Sequence, residues 1–237
     1  MKKTAFFSIF VLLSITIFQS CSMFCEKGRG KIVTETRKLA EFDEIEIEGQ
    51  AQIFLTQGLE PAITLSIDSN LLEYIKTEVS GSKLKIYESK CIEEISEFKI
   101  YITAKNLSAL NVIGSVKMSC DSIFRTDKLM IKTDNSGNIN LNLDLEDIEV
   151  ITKGSGLLKL AGRSANFDID LKGAGAIEAF NLQAKNIEAN INGAGTCEVS
   201  VSEKLFGEVS GSGKLFYKGN PKKVQTNNTG TGIIQTK

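Results

Sequence analysis

Gly154-Ser155-Gly156, Gly173-Ala174-Gly175, Gly193-Ala194-Gly195, Gly211-Ser212-Gly213 and Gly230-Thr231-Gly232 punctuate the second half of this 237-residue chain. Their second glycines step by 19, 20, 18 and 19 residues. Regular self-similarity at that period marks a coiled array of near-identical turns. Counted from each second glycine, positions −8, −6 and −4 read Ile148, Val150, Thr152; Phe167, Ile169, Leu171; Ile187, Ala189, Ile191; and Leu205, Gly207, Val209. Alternation resumes after the triplet with Leu158 and Leu160, Ile177 and Ala179, Cys197 and Val199, Leu215 and Tyr217. Period-two alternation is the mark of a strand with one buried face, so each repeat reads strand, glycine corner, strand, second corner.

A repeat this short cannot bury its own apolar face, but stacked copies can, each backbone pairing with the coils above and below. The expected fold is therefore an all-β parallel β-solenoid of about 19 residues per coil. Ile139, Leu158, Ile177, Cys197, Leu215 and Ile234 would form one inward ladder. Full burial contributes about 1.5–3 kcal/mol for each such aliphatic side chain. The corner glycines Gly137, Gly154, Gly156, Gly173, Gly175, Gly193, Gly195, Gly211, Gly213, Gly230 and Gly232 would supply positive φ or let neighbouring coils approach with no Cβ between them. The middle residue of each triplet is small, and a bulkier one is expected to clash with the next coil.

Weaker copies extend the series toward the N-terminus. Asn135-Ser136-Gly137 keeps the second glycine, Gly114-Ser115-Val116 the first, and Ile45, Ile47, Gly49, Ala51, Ile53 and Leu55 fit the same frame. Between this last copy and Gly114 the texture changes. Ile63-Leu65-Ile67, Leu84-Ile86 and Phe98-Ile100-Ile102 read as strands and Asn70 to Ile75 as a short helical turn or loop, an insertion or an irregular pair of wider coils that caps the solenoid.

Lys2 and Lys3, the apolar stretch Ala5 to Phe18 and then Gln19-Ser20-Cys21 have the layout of an export signal. A cysteine after the small residue resembles a bacterial lipoprotein signal with Cys21 as the lipidated first residue. An ordinary cleaved signal peptide or a short anchor are the alternatives, although the apolar run is shorter than the ~20 residues a spanning helix needs. The expected organisation is a signal peptide at 1–20, an anchor linker at 21–29 and one β-helix domain at 30–237.

Removing residues 1–20 leaves 26 basic against 29 acidic residues, a net charge of −3. Phosphate binding needs a basic stripe, so nucleic acid is not an expected partner. The chain has no His and no Trp, which removes the commonest general base and metal ligand and the favourite sugar-stacking ring. Cys-x-x-Cys spacing is absent too, and neither a metal nor a cofactor is expected. A dinucleotide fingerprint needs a third glycine where Lys159, Glu178, Glu198 and Phe216 stand, and Gly211-Ser212-Gly213-Lys214 lacks the first glycine and the Ser/Thr of a phosphate loop.

Gly30-Lys31 with Phe42-Asp43-Glu44-Ile45, Leu55-Thr56-Gln57-Gly58, the GSG and GAG corners, Gly137-Asn138-Ile139-Asn140 and the closing Gly219-Asn220-Pro221 resemble the head GIN domain family of auto-transporter adhesins. The resemblance spans nearly all of residues 30–237. It implies a right-handed parallel β-helix in exported, often lipid-anchored proteins of Bacteroides-like bacteria, and it carries no catalytic residues.

The function expected is a non-catalytic binding, adhesion or structural module of the cell envelope, held to the outer membrane through Cys21 and touching a surface glycan or protein. The alternatives are a carbohydrate-active enzyme and a periplasmic structural protein. Glu149, Asp168 and Glu188 share position −7, while Asp170, Asn190 and Glu208 share −5. Glu149, Asp168, Asp170 and Glu188 would line a ligand face able to meet a cation or sugar hydroxyls, or to act as the paired carboxylates of glycoside hydrolysis. Phe180, Phe206 and Phe216 would make an outward aromatic patch for a partner, unless another segment of the chain covers them.

Cys120 and Cys197 fall on inward positions about four coils apart, too distant for a disulfide, and are expected as buried free thiols. Cys25 and Cys91 would be free to pair in an oxidising compartment. Asp121-Ser122-Ile123 resembles a short O-glycosylation acceptor motif of such bacteria.

Overall fold

The computed structural model describes residues 25–237, so the expectations on 1–20 and on Cys21 lie outside the described residues. The first strands are β1 (Glu26–Lys27), β2 (Ile32–Lys38), β3 (Glu44–Gln57), β4 (Ala62–Asp68), β5 (Ile75–Ser80), β6 (Lys83–Glu88), β7 (Ile92–Glu93) and β8 (Phe98–Ala104). The array proper follows with β9 (Ala109–Arg125), β10 (Lys128–Asn135), β11 (Asn138–Asp144), β12 (Asp147–Thr152), β13 (Leu157–Leu171), β14 (Ala176–Ile191), β15 (Thr196–Val209), β16 (Lys214–Lys218), β17 (Lys223–Asn228) and β18 (Ile233–Thr236). One 3-10 turn, Leu72–Tyr74, sits where the sequence suggested a helical turn.

From β9 onward every strand stacks in parallel on the strand one coil earlier, giving a β-solenoid with the repeat read from the glycines. The inward ladder is unbroken: Met118, Ile139, Leu158, Ile177, Cys197, Leu215 and Ile234 are successive register partners. A second ladder runs Leu129, Ile148, Phe167, Ile187, Leu205, Val224. Apart from Ile234 and Val224 on the last coil, these side chains are buried, because period-two alternation puts them all on the same side of the sheet.

The corners resolve the two roles considered for their glycines. No glycine of the five triplets has a positive φ. A Cβ on Gly173 would instead stand 2.2 Å from the carbonyl oxygen of Gly154, and one on Gly230 2.1 Å from that of Gly211. Each coil thus rests its corner carbonyl where the next residue's side chain would be. Positive φ occurs at Gly114, φ 114°, which stacks directly on Gly49, φ 124°. In the copy lacking the first glycine, Asn135 turns its buried side chain onto the coil beneath, accepting from the Val116 N–H at 2.8 Å and donating to its carbonyl at 3.0 Å. The clash expected for a bulky middle residue is not found: Ser155, Ala174, Ala194, Ser212 and Thr231 are all exposed and point away from the stack.

β9 rests on β3 in continuous register from Glu44 opposite Ala109 to Phe54 opposite Ser119. The intervening segment therefore leaves the array and returns. Within it β6 and β8 stack in parallel beneath β3, so this coil follows β3 in sequence yet lies below it in space. β4 then pairs antiparallel with β8, β2 antiparallel with β4, and β5 antiparallel with β6, closing the solenoid as the expected cap. Ile63, Leu65, Ile67, Leu84 and Ile100 fill it and are fully buried.

Cys25 and Cys91 form a disulfide beside the short parallel pair β1–β7, which ties the beginning of the described chain to the loop between β6 and β8. Arg29 N–H donates to Asn70 and the Ser96 N–H to the buried Asp68 carboxylate, fastening the same region. Cys120 and Cys197 are buried free thiols.

Candidate functional site

Strands β6, β3, β9, β10, β12, β13, β14, β15 and β17 build one side of the solenoid, and their registers arrange the outward side chains in columns. The column at position −7 reads Lys83, Glu44, Ala109, Met130, Glu149, Asp168, Glu188, Phe206, Gln225. Beside it run Lys85, Glu46, Asn111, Lys132, Ile151, Asp170, Asn190, Glu208, Asn227. A third column is Lys128, Asp147, Asn166, Asn186, Lys204, Lys223. The structure thus brings Glu149, Asp168 and Glu188 together as immediate neighbours, with Asp170 one column away.

Three depressions lie along this side. The first, about 440 Å³, is lined by Glu44, Lys83, Asn111 and Lys128 among others. The second, about 330 Å³, shares Lys128 and takes in Glu149, Asp168, Asn186, Glu188 and Phe206. The third, about 300 Å³, shares Glu188 and Phe206 and reaches Gln225 and Asn227 on the last coil. Neighbouring depressions share a wall, Lys128 or Glu188 with Phe206, so the three lie in a row along nine strands, about 38 Å at the usual interstrand spacing.

The groove's chemistry varies along its length. At the cap end, carboxylates and ammoniums compensate each other: Lys83 and Lys85 meet Glu46 at 3.4 and 3.2 Å, and Lys85 meets Glu48 at 3.0 Å. Burial pushes the Glu46 carboxyl up, but those lysines outweigh it and hold the group below its ordinary value. The centre is acidic. Burial raises the Asp168 carboxyl above its ordinary value, and the like charges of Glu188, Glu149 and Asp147 raise it further against the opposing pull of Lys128. Among the described residues no ammonium or guanidinium lies within 4 Å of Glu149, Asp168 or Glu188, whereas Asp170 is paired with Lys172 at 2.6 Å. An amide ladder fixes one wall: Asn166 donates to Asp147 at 2.8 Å, and Asn186 donates to Asn166 at 3.0 Å. Phe206 closes the acidic stretch, 39% exposed beneath Lys223.

The aromatic patch expected from sequence is not one patch. Phe180 and Phe216 share Lys237, whose ammonium lies 5.5 and 4.3 Å from their ring centres and which also pairs with Glu198. Lys218 covers Phe180 as well. Both rings are half-buried under lysines from the last coils, while Phe206 belongs to the carboxylate groove. The cause is the glycine corner: Phe206 precedes it and Phe216 follows it, so the two sit on different sides of one coil.

Sequence reading missed the third column, although the same frame holds it: Asp147, Asn166, Asn186 and Lys204 all stand at −9 from their second glycine. It also missed a groove of about 760 Å³ at the second corner, where Asp144 holds Arg163 through two hydrogen bonds of 2.7 and 2.8 Å, near Gln183, Lys185 and Asn220. Register shifts at Lys159/Ala161 and Ala179/Gln183 break the frame there, so no fixed offset could reveal it. Asp121-Ser122-Ile123 is an exposed bulge opposite Asn142, three residues against one.

Residues 41–221 match the family model described as "Putative auto-transporter adhesin, head GIN domain". The chain belongs to this family. A "putative adhesin" of Bacteroides fragilis NCTC 9343 is 27% identical, with a TM-score of 0.82 over 90% of this chain and 100% of that one. A "putative lipid binding protein" of Parabacteroides distasonis ATCC 8503 is 26% identical, with a TM-score of 0.75 over 90% and 99%. A "putative adhesin" of the same organism, 23% identical over 89% and 99% with a TM-score of 0.71, shares the fold. No curated protein matches the chain. As a member of this head GIN family the chain is similar to proteins named for adhesion and lipid binding.

Proposed function

We propose that this head GIN protein is a lipid-anchored outer-membrane protein, attached through Cys21, whose solenoid is a non-catalytic binding module for an extended neutral glycan lying along the groove. The observation that carries this reading is the row of three depressions along nine strands, adjoining at Lys128 and then at Glu188 and Phe206. Its wall groups suit hydroxyls. Carboxylates accept from them, Asn side chains both donate and accept, and Phe206 offers an apolar face to a sugar ring. The acidic centre disfavours an anionic chain. Lys128 lines the same depression, but its pull on Asp168 is weaker than that of Glu188, Glu149 or Asp147. The adhesin names carried by the family and by a relative above 25% identity support contact at the cell surface.

Titration of neutral and uronic-acid polysaccharides into the protein tests the reading. Binding of a neutral chain that weakens at least tenfold in Phe206→Ala and in Glu188→Gln is the expected result, and preference for uronic-acid chains would overturn it. Release of oligosaccharides, lost in Asp168→Ala, would replace the module with a glycosidase. Lipidation is checked by labelled palmitate, whose incorporation should vanish in Cys21→Ala. Protease treatment of intact cells separates a surface protein, which is cut, from one facing the periplasm.

A further inference from the structure

The second-corner depression, about 760 Å³, shares no lining residue with the row along the carboxylate face, and its volume lies in the range that holds small molecules. Its floor is one column, Leu145, Ser164, Ala184, Val201 and Gly219, which continues the registers of β11 on β13, β13 on β14, β14 on β15 and β15 on β16. After Leu145 no member is larger than Val, and the column ends without a side chain because a Cβ on Gly219 would stand 2.1 Å from the Val201 carbonyl oxygen. Longer side chains in the columns on either side turn this floor into a trough. Ser164 points to a ligand. It lines the trough, is 6% exposed, and its hydroxyl has no hydrogen-bond partner. Buried hydroxyls normally have one, so this group awaits a partner that the chain does not supply.

The walls select the ligand's charge. On one wall Asp144 is already engaged, by Arg163 through two hydrogen bonds and by Arg125 at 3.6 Å. On the other wall the Ala165 and Asn166 N–H groups donate to the Glu146 carbonyl at 2.9 and 2.8 Å, which seats Ala165 on Glu146, and Lys185 follows Ala165 in register. Glu146 and Lys185 are exposed, and neither side chain forms an ion pair or a hydrogen bond. Glu203, in the bulge opposite Lys185, lies outside the lining and does not pair with it. One wall thus carries an unpaired carboxylate and an unpaired ammonium two interstrand spacings apart, roughly 9.6 Å, with only the Ala165 methyl between them. A simple anion or cation would meet one of these charges and be repelled by the other. The complement is a ligand with both charges in the reverse order.

We infer that this trough binds a short zwitterionic peptide, its amino terminus against Glu146 and its carboxylate against Lys185. An extended chain advances about 3.3–3.6 Å per residue, so three residues set the two termini about 10 Å apart. Gln183, Ser200 and Asn220 line the same trough and offer donors and acceptors to the peptide groups between the termini. The small floor residues leave room for small side chains. This site lies apart from the glycan groove and does not depend on it.

Calorimetric titration of trialanine into the full chain in detergent tests this. Saturable binding is expected, weakened at least tenfold when the peptide is N-acetylated or when its carboxyl is amidated. Glu146→Gln should weaken trialanine at least tenfold and leave the N-acetylated peptide unchanged, and Lys185→Met should do the same with respect to the amidated peptide. That pattern belongs to direct contact with each terminus, since a structural fault would weaken all three ligands alike. Both residues are exposed, so the variants should keep the parent's melting temperature. Phe206→Ala, in the carboxylate groove, should leave trialanine binding unchanged, which keeps failure of this site distinct from failure of the glycan reading. No saturable binding of trialanine would overturn the inference. Equal binding of the blocked peptides would do so too, as would tighter binding of phosphoethanolamine, whose charges lie much closer together.

Discussion

Replacing Gly173 by Ala should unfold the solenoid more than any change at the exposed Ala174 beside it. The new Cβ would meet the Gly154 oxygen at 2.2 Å and the Lys153 oxygen at 2.3 Å. Close-packed interiors do not tolerate such contacts, so the two coils must part by roughly 1 Å at the corner. Three hydrogen bonds span that seam: Lys172 N–H to Thr152 at 2.8 Å, Gly175 N–H to Gly154 at 3.2 Å and Ala176 N–H to Gly156 at 3.0 Å. At about 1 kcal/mol net each, their weakening costs about 3 kcal/mol, near the upper range for an overpacked core. With a urea dependence of about 3 kcal/mol/M for a chain of this size, the unfolding midpoint followed by circular dichroism should fall by about 1 M. Ala174→Leu should stay within about 0.5 kcal/mol of the parent. Gly173→Asn separates sterics from backbone conformation, since Asn tolerates the left-handed region. It should be as damaging as Ala. A Gly173→Ala midpoint within experimental error of the parent, or rescue by Asn, would refute the carbonyl-contact explanation of the corners.

Reducing the Cys25–Cys91 disulfide, or replacing it by Cys91→Ala, should lower stability by about 4 kcal/mol, the chain-entropy value for closing a loop of this length, read from urea melts with and without reductant. Asp168→Asn should raise the melting temperature at pH 7. An acid whose folded value is raised binds protons more tightly in the native state, so its ionisation costs stability as pH climbs through the folded value. The gain should vanish below the ordinary carboxyl value of 3.8, and melts at pH 7 and pH 3 will show it. Burial pushes the Cys197 thiol far up and raises Cys120, so neither should react with iodoacetamide until the protein unfolds, as followed by mass spectrometry.

The fold was legible because inward positions answer to one geometric rule repeated in every coil. A residue at −8 or +2 from the second glycine must be apolar whatever its neighbours do, and seven coils state it in turn. Met118 to Ile234 could therefore be placed in advance. The cap obeyed no such frame. Its strands were readable, but their order was not, since β6 and β8 stack beneath the strand that precedes them and no local pattern encodes that reversal. At the site, Glu149, Asp168 and Glu188 were legible as a column because they follow the same offset. The separation of Phe206 from Phe216 follows from the same frame, since one stands before the Gly211-Ser212-Gly213 corner and the other after it, but grouping both as outward residues of one coil hid it. Cys25 and Cys91 were legible as candidates to pair, and the cap joins them by bringing β1 to β7.

A face of this construction places its two kinds of constraint on alternate residues. Ile169 and Ala189 are fixed by packing, and the change from Ile169 through Ala189 to Gly207 along one inward column leaves room that Leu215 fills: a Cβ on Gly207 would stand 2.6 Å from its Cδ2. Between them, Asp168, Asp170, Glu188 and Asn190 touch solvent and bear none of that load. Substitutions along the outward columns should therefore stay within about 0.5 kcal/mol in stability and combine additively when they are two coils or more apart, while adjacent-coil carboxylates couple through their like charges. Ligand preference should move freely under the same changes. A scan of Glu149, Asp168 and Glu188 to Gln or Asn, read for both melting and polysaccharide binding, measures the two together. Large stability losses from that scan would mean the columns help hold the coils in place, and the groove would then be a by-product of packing instead of a surface free to be shaped by what it binds.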